Sequence, residues 1–472
     1  MKSNNNKTLI AALIAALMTS GVLAQSRSSL FDDDDIKSPA KSGTSKPAGK
    51  TDDEGLQVDK PTGSGIRFSG YTELGMYRAV DNPDRWIHQR LRQSLNAQSD
   101  GAGLKWKSGV RLEGDAAYVG RGDRYYNSDV RNDQKLGVEL TENYFDKSRG
   151  AVEMRVGKQY VVWGEMVGAF VADVVSPRDM RDFLSTDLEN IRRTTWATRF
   201  ENFSGDWHSE LLWVPVQTYD KVGKPGADFY PYPAPPIPGY GYAIGVEQQP
   251  KNEFSNGSFG ARTGFLKQGW DVSAFYYVSR DVAQTFERSI VAPAAATPYP
   301  TTLYSPVHDR IQQVGGTVAK DLDGVVIKAE AVVTSGRRFT VTRLDDDDGL
   351  LPSRSLDVAL GLDYNPLSDL RLNFQLIDRS LARHDSSMLV DKNEMAGSIL
   401  TAWTINSAWE SQFLWVSSLN RSEGWLSPSV IWKIKPSLRV RMGADFYYGP
   451  PTGAFGRYDR NDRVVGELRW SY

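Results

Sequence analysis

One segment of this 472-residue chain concentrates side chains that could act on something passing it. Residues 161–193, VVWGEMVGAFVADVVSPRDMRDFLSTDLENIRR, begin almost wholly apolar and then turn charged. The ionisable groups there include Glu165, Asp173, Arg178, Asp179, Arg181, Asp182, Glu189, Arg192 and Arg193. Carboxylates interleaved with guanidiniums can touch a polar solute, or they can pair with one another and with a neighbouring wall. The two roles are compatible, and the sequence leaves both open. The apolar half, 161–175, gains nothing from facing water. The segment is therefore expected to fold inward and pack against protein, with a short helix in the charged half after Pro177.

Other chemistry is thinly supplied. There is no cysteine, so no disulfide, thiolate metal site or thiol nucleophile is available. The four histidines, His88, His208, His308 and His384, are scattered, with no pair at HExxH spacing. His208-Ser209 and His308-Asp309 are adjacent, but neighbours on a strand point to opposite faces, which argues against a hydrolase. Asp345, Asp346, Asp347 and Asp348 form a weak candidate for calcium, or for magnesium shared with lipopolysaccharide. They lack EF-hand spacing, and a solvated loop explains them more simply. No cofactor is expected. Basic and acidic residues nearly balance, at 56 and 58, which excludes a nucleic-acid partner.

The elements that must position these groups have a period of two. Leu104, Trp106, Val110, Leu112, Ala116 and Tyr118 alternate with Lys105, Lys107, Arg111, Glu113 and Asp115. Leu438 to Tyr448 repeats the pattern against Arg439, Arg441 and Asp445. Strands this long suit a membrane better than a soluble sandwich. Their charged face would be costly to bury dry but can be hydrated in a wide lumen. His88, Arg90, Arg92, Arg111, Glu113, Arg439 and Arg441 fall on that inner face, and Arg90, Arg92 and Arg111 suggest a basic stripe.

Short turns such as SDGAG (99–103), KSRG (147–150) and PLSD (366–369) alternate with long connections such as 120–133, 161–192 and 217–256. That rhythm predicts an all-β, antiparallel transmembrane barrel of the outer-membrane type over residues 66–472. The count is eighteen strands; sixteen is the alternative, since 394–405 is the least certain. The last residues, RVVGELRWSY, alternate to the final tyrosine and are expected to close the barrel against the first strand.

Residues 1–24 read as a signal peptide. Lys2 and Lys7 precede an apolar run that ends in Val22-Leu23-Ala24, with cleavage expected after Ala24. Residues 25–65 are polar and poor in large apolar groups, and are expected to form a disordered periplasmic tail.

Residues 153–184 resemble the core of a porin-like outer-membrane family of proteobacteria, described largely as a domain of unknown function. The resemblance rests on Gly157, Gln159, Trp163, Gly164, Glu165, Asp173, Val174, Val175, Pro177, Arg178, Asp179 and Phe183. Ser176 stands where asparagine is expected, and Met180 where leucine is. The motif covers under a tenth of the chain. It implies a barrel in the Gram-negative outer membrane with 161–193 at its functional centre. Implied partners are membrane lipid and lipopolysaccharide, and the outer-membrane assembly machinery reading Tyr472, Trp470 and Leu468. Family members are also suspected of moving hydrophobic compounds alongside inner-membrane exporters. Together these readings give a passive, porin-like channel for small solutes or for amphiphilic or hydrophobic ones, constricted by 161–193. A plugged barrel used for adhesion or scaffolding is the alternative, and a hydrolase the lesser one.

Overall fold

The computed structural model describes residues 65–472, apart from 82, 102, 121–123, 167, 169, 184–187 and 294–297. The expected leader, and all of the expected tail but Gly65, lie outside the described residues.

Eighteen antiparallel strands form one closed sheet. They are Arg67–Ala79, Trp86–Gly101, Leu104–Asp115, Leu136–Arg149, Val152–Gln159, Thr195–Ser204, Trp207–Val216, Ser258–Lys267, Trp270–Arg280, Arg310–Asp321, Val325–Ser335, Ser355–Leu367, Leu370–Leu381, Asn393–Asn406, Trp409–Ser418, Gly424–Lys435, Leu438–Tyr448 and Arg463–Ser471. Each pairs with the next along the chain, and the first pairs with the last from Tyr71↔Ser471 to Ala79↔Arg463. Gly70 and Tyr472 exchange both backbone hydrogen bonds, at 2.8 and 2.9 Å, so the ladder has no open edge. The doubtful strand is real and spans Asn393–Asn406.

The alternation in sequence becomes inside and outside. Leu136, Val138 and Leu140 are exposed on the outer surface, as are Val152, Met154 and Val156 on the next strand and Leu356, Leu360 and Leu362 further round. A belt of aliphatic and aromatic side chains of this kind is stable only against lipid, which makes this a transmembrane barrel. The inward positions Arg92, Arg111, Glu113 and Asp115 are all buried. A bulge between the third and fourth strands interrupts the parity. Ser108 pairs with Asn143 but Val110 with Leu140, so the inward side of the fourth strand shifts from Glu139 to Glu142. Replacing Leu360 by Arg on the lipid face is expected to cost about 2–4 kcal/mol. Unfolding by urea in lipid vesicles measures this, and a loss near zero would contradict the assignment of faces.

Short turns join the strands at one rim and long segments at the other. The long segments carry structure of their own: a three-stranded sheet of Gly241–Ile244, Thr285–Val291 and Thr301–Val307, and a two-stranded one of Arg338–Thr340 with Leu350–Pro352. Two aromatic clusters fill space at this end. One joins Tyr77, Phe229, Trp425, Tyr447, Phe455 and Tyr458. The other joins Tyr118, Tyr126, Tyr230, Phe286 and Tyr304.

Candidate functional site

The 161–193 segment leaves the end of Val152–Gln159 and folds into the lumen. Its base is closed by Ser176, whose hydroxyl donates to the Val161 carbonyl at 2.9 Å and accepts from the Val161 amide at 3.1 Å. A serine thus supplies both a donor and an acceptor at the position where the family resemblance leads one to expect asparagine. Gln159 is fully buried and donates to the Ala197 carbonyl at 3.0 Å.

Beyond this base the apolar half is seated in sockets on the wall. Trp163 packs with Phe275 and Tyr277, and its indole N–H donates to Glu210 at 3.1 Å. It lies over Gly260, where a Cβ would come within 2.6 Å of the indole ring. Met166 lies over Gly361, where a Cβ would meet the sulfur at 2.7 Å. Only glycine leaves room for these two side chains. Between them sits Glu330, from Val325–Ser335 and 2% exposed. It accepts the backbone N–H of Glu165 at 2.5 Å, Met166 at 2.8 Å and Ala172 at 2.7 Å.

The charged half returns across the lumen. Asp173 pairs with Arg192 at 2.8 Å, and Arg178 and Arg192 both lie over the Phe170 ring. Glu165 faces Arg262 at 3.7 Å; burial, and then Asp271, push its carboxyl above the usual range. Asp179 pairs with Arg181 at 2.6 Å, and Arg181 reaches Glu113 on the wall at 3.2 Å. Burial would raise the Asp179 carboxyl, but Arg181 and Lys221 together hold it low. Asp182 contacts His88 and lies 3.1 Å from Arg90. Burial opposes its charge, yet His88 and Arg90 hold the carboxyl well below the usual carboxylate range. His88 in turn bonds Asp115 at 2.6 Å. Asn190 accepts from Tyr71 at 2.8 Å and Arg111 at 2.9 Å, and Arg193 pairs with Glu139 at 3.0 Å. Phe183 ends the run among Tyr447, Phe455 and Tyr458. Phe170 and Phe183 both have positive φ, at 51° and 59°, a strained conformation for an aromatic residue.

The expected short helix is confined to Leu188–Ile191, and the side chain of Glu189 lies outside the described residues. The reason lies in the backbone bonds. Asp179 donates to Ile191, Arg193 to Pro177, Met180 to Lys221 and Lys221 to Arg178. These amides bridge to facing chain segments instead of closing helical turns.

The basic stripe is also not a free field. Arg92 bridges Glu73 at 3.0 Å and Glu113 at 2.8 Å, while Arg111 reaches Glu139 at 2.7 Å. Arg441 pairs with Glu467 at 3.2 Å, and Arg463 with Asp445 at 2.7 Å. Arg439 lies near the short-turn rim, opposite Arg469 and Lys433 in register. A polar cavity of about 60 Å³ remains between Arg111, Glu113, Glu139, Arg181 and Arg193.

The aspartate run lies on a long loop and serves it internally. Asp348 pairs with Arg338 at 3.1 Å and Asp346 with Arg343 at 3.3 Å; both also accept the Leu350 amide. Asp345 is 3.7 Å from Arg343, and Asp347 is exposed. Glu201, His208 and Glu210 could together hold a metal ion. Arg199 already sits between the two carboxylates and supplies the charge a cation would bring.

Glu330, Glu73, Glu139 and Glu467 are functional candidates that sequence reasoning missed. Inward parity would have found Glu330, the lone acid in VVIKAEAVVTS, but nothing local shows that a loop more than 150 residues away ends on it.

The fold and this site define a class: a transmembrane barrel of outer-membrane type with an inserted loop docked on its inner wall. The chain belongs to the family described as protein of unknown function (DUF1302), which matches residues 8–428. OccAB2 of Acinetobacter baumannii is 8% identical, with a TM-score of 0.49 over 87% of this chain and 99% of that one. The anion-selective porin of Comamonas acidovorans is 9% identical, with a TM-score of 0.40 over 86% and 99%. A variant of the Rh. blastica porin is 11% identical, with a TM-score of 0.38 over 86% and 100%. No curated protein matches.

Proposed function

We propose that this protein is a porin-like channel that passes small or amphiphilic solutes passively, with the 161–193 loop as its constriction. The observation that supports this is the loop's course. It touches the wall at Gly361 through Met166 and at Tyr447 through Phe183, and so crosses the lumen from the twelfth strand to the seventeenth. An eighteen-strand barrel otherwise encloses an aqueous space. The side left to the solute is lined by Leu370–Leu381, Asn393–Asn406 and Trp409–Ser418. Its inward positions include Ala396, Ser398, Leu400 and Leu414 alongside Asn373, Gln375, Gln412 and the acidic Glu410, a mixed polar and apolar surface that suits an amphiphile. The loop charges face the wall and serve mainly to hold the loop.

Export through a leader cleaved after Ala24, contact with lipopolysaccharide, insertion guided by Leu468, Trp470 and Tyr472, and cooperation with an inner-membrane exporter belong to the same proposal. The aromatic clusters at the long-loop end favour a second reading, a barrel plugged at rest. Planar-bilayer recording of the refolded protein separates the two. Steady unitary conductance, with faster swelling of vesicles in neutral amphiphiles than in salts of equal size, is the result expected of a channel. A silent bilayer and no swelling would leave the plugged reading.

A further inference from the structure

We infer that Glu330 is the latch that sets how far the inserted loop closes the lumen. This rests on the channel reading above. The argument starts from the amides of Glu165, Met166 and Ala172, which converge on one point although the first and last are seven residues apart. Three buried N–H groups aimed at one spot form an anion-binding nest. The anion is supplied by the wall: one oxygen of Glu330 takes two of the amides and the other oxygen takes the third. Nearby cations are committed elsewhere, Lys328 to Asp363 at 3.0 Å and Arg262 to Glu165. Among the described residues no cationic side chain pairs with Glu330. The carboxylate and the loop backbone therefore satisfy each other, and neither has an equivalent substitute nearby. A Cβ at Gly164 would lie 3.1 Å from the same carboxylate, so the backbone approaches as closely as the glycine allows. Of the other anchors of the loop tip, Met166 over Gly361 is apolar, and Trp163 over Gly260 adds one hydrogen bond to Glu210 at 3.1 Å; neither gathers three backbone amides on one carboxylate.

The test is a set of variants in planar bilayers. Glu330→Gln keeps the size but turns an NH2 group toward an N–H. It is expected to raise the ratio of open to closed dwell time about ten-fold or more, the factor that corresponds to losing about one hydrogen bond to a charged group. Glu330→Asp keeps the charge and is expected to restore most of the closed time, with thermal unfolding unchanged in both. Because the chain has no cysteine, Met166→Cys with Gly361→Cys introduces a single thiol pair at the loop tip. Oxidising that pair in the Glu330→Gln background should return the trace to wild type, and reducing it should release the loop again. If Glu330→Gln records like wild type while a channel lacking 165–185 is wider, the latch is refuted and the constriction stands. If removing 165–185 also changes nothing, the channel reading itself has failed. If Glu330→Gln does not fold, Glu330→Asp and the cysteine pair decide. If the oxidised pair in the Glu330→Gln background leaves the open time as long as in the reduced form, the openings are not a movement of the loop tip and the latch is refuted.

Discussion

Deleting residues 165–185 is expected to raise single-channel conductance several-fold and to move ion preference toward anions. The first effect follows from geometry, since the deleted stretch holds the contacts with Gly361, Glu330, Glu113, His88 and Tyr447. The second follows from charge. The deletion removes four carboxylates, at Glu165, Asp173, Asp179 and Asp182, but only two guanidiniums, at Arg178 and Arg181. Arg90 loses Asp182, and the lumen wall becomes more positive. The barrel should still assemble, because all eighteen strands and the closing Tyr71↔Ser471 register remain, and the wall groups left behind face water. Conductance and reversal potential across a salt gradient measure both effects. An unchanged conductance would remove the loop from any role in limiting passage, and a shift toward cations would mean that the wall guanidiniums released from the loop, such as Arg90, do not face the path.

Replacing Glu113 by Ala should be the most damaging single change on the wall, costing about 3–5 kcal/mol. Three guanidiniums share this carboxylate: Arg92 at 2.8 Å, Arg111 at 3.5 Å and Arg181 at 3.2 Å. All three are about 10% exposed or less, so water cannot replace the lost partner cheaply. The like charges would then crowd Glu73, Glu139 and Asp179. Because Arg181 belongs to the loop, the substitution should also loosen the loop and add flicker to the open current. Glu142→Ala is the control. Its pair with Lys107 is more accessible, and a more exposed pair contributes about 1 kcal/mol or less. Equilibrium unfolding of the two variants in lipid vesicles gives the comparison, and equal losses would show that the wall network is dispensable.

The sequence by itself determined the barrel. Alternation of apolar and charged residues along 104–118 and 438–448 admits only a wall with one face toward lipid and one toward a hydrated interior, and turn spacing sets the order of strands. It also marked 161–193 as an inserted loop, since a largely apolar run such as 161–175 finds no stable place in water. Only the tertiary structure decided what the loop's charges do. Asp182 meets His88 across 94 residues, Arg181 meets Glu113 across 68, and the Met166 amide meets Glu330 across 164. Local pattern records which face a side chain occupies. It does not record which other strand stands opposite once eighteen of them close on themselves, because that depends on barrel register and on how deeply the loop enters. For the same reason Arg90, Arg92 and Arg111 read in sequence as a free basic stripe, while in the barrel each guanidinium lies against a carboxylate contributed by another element.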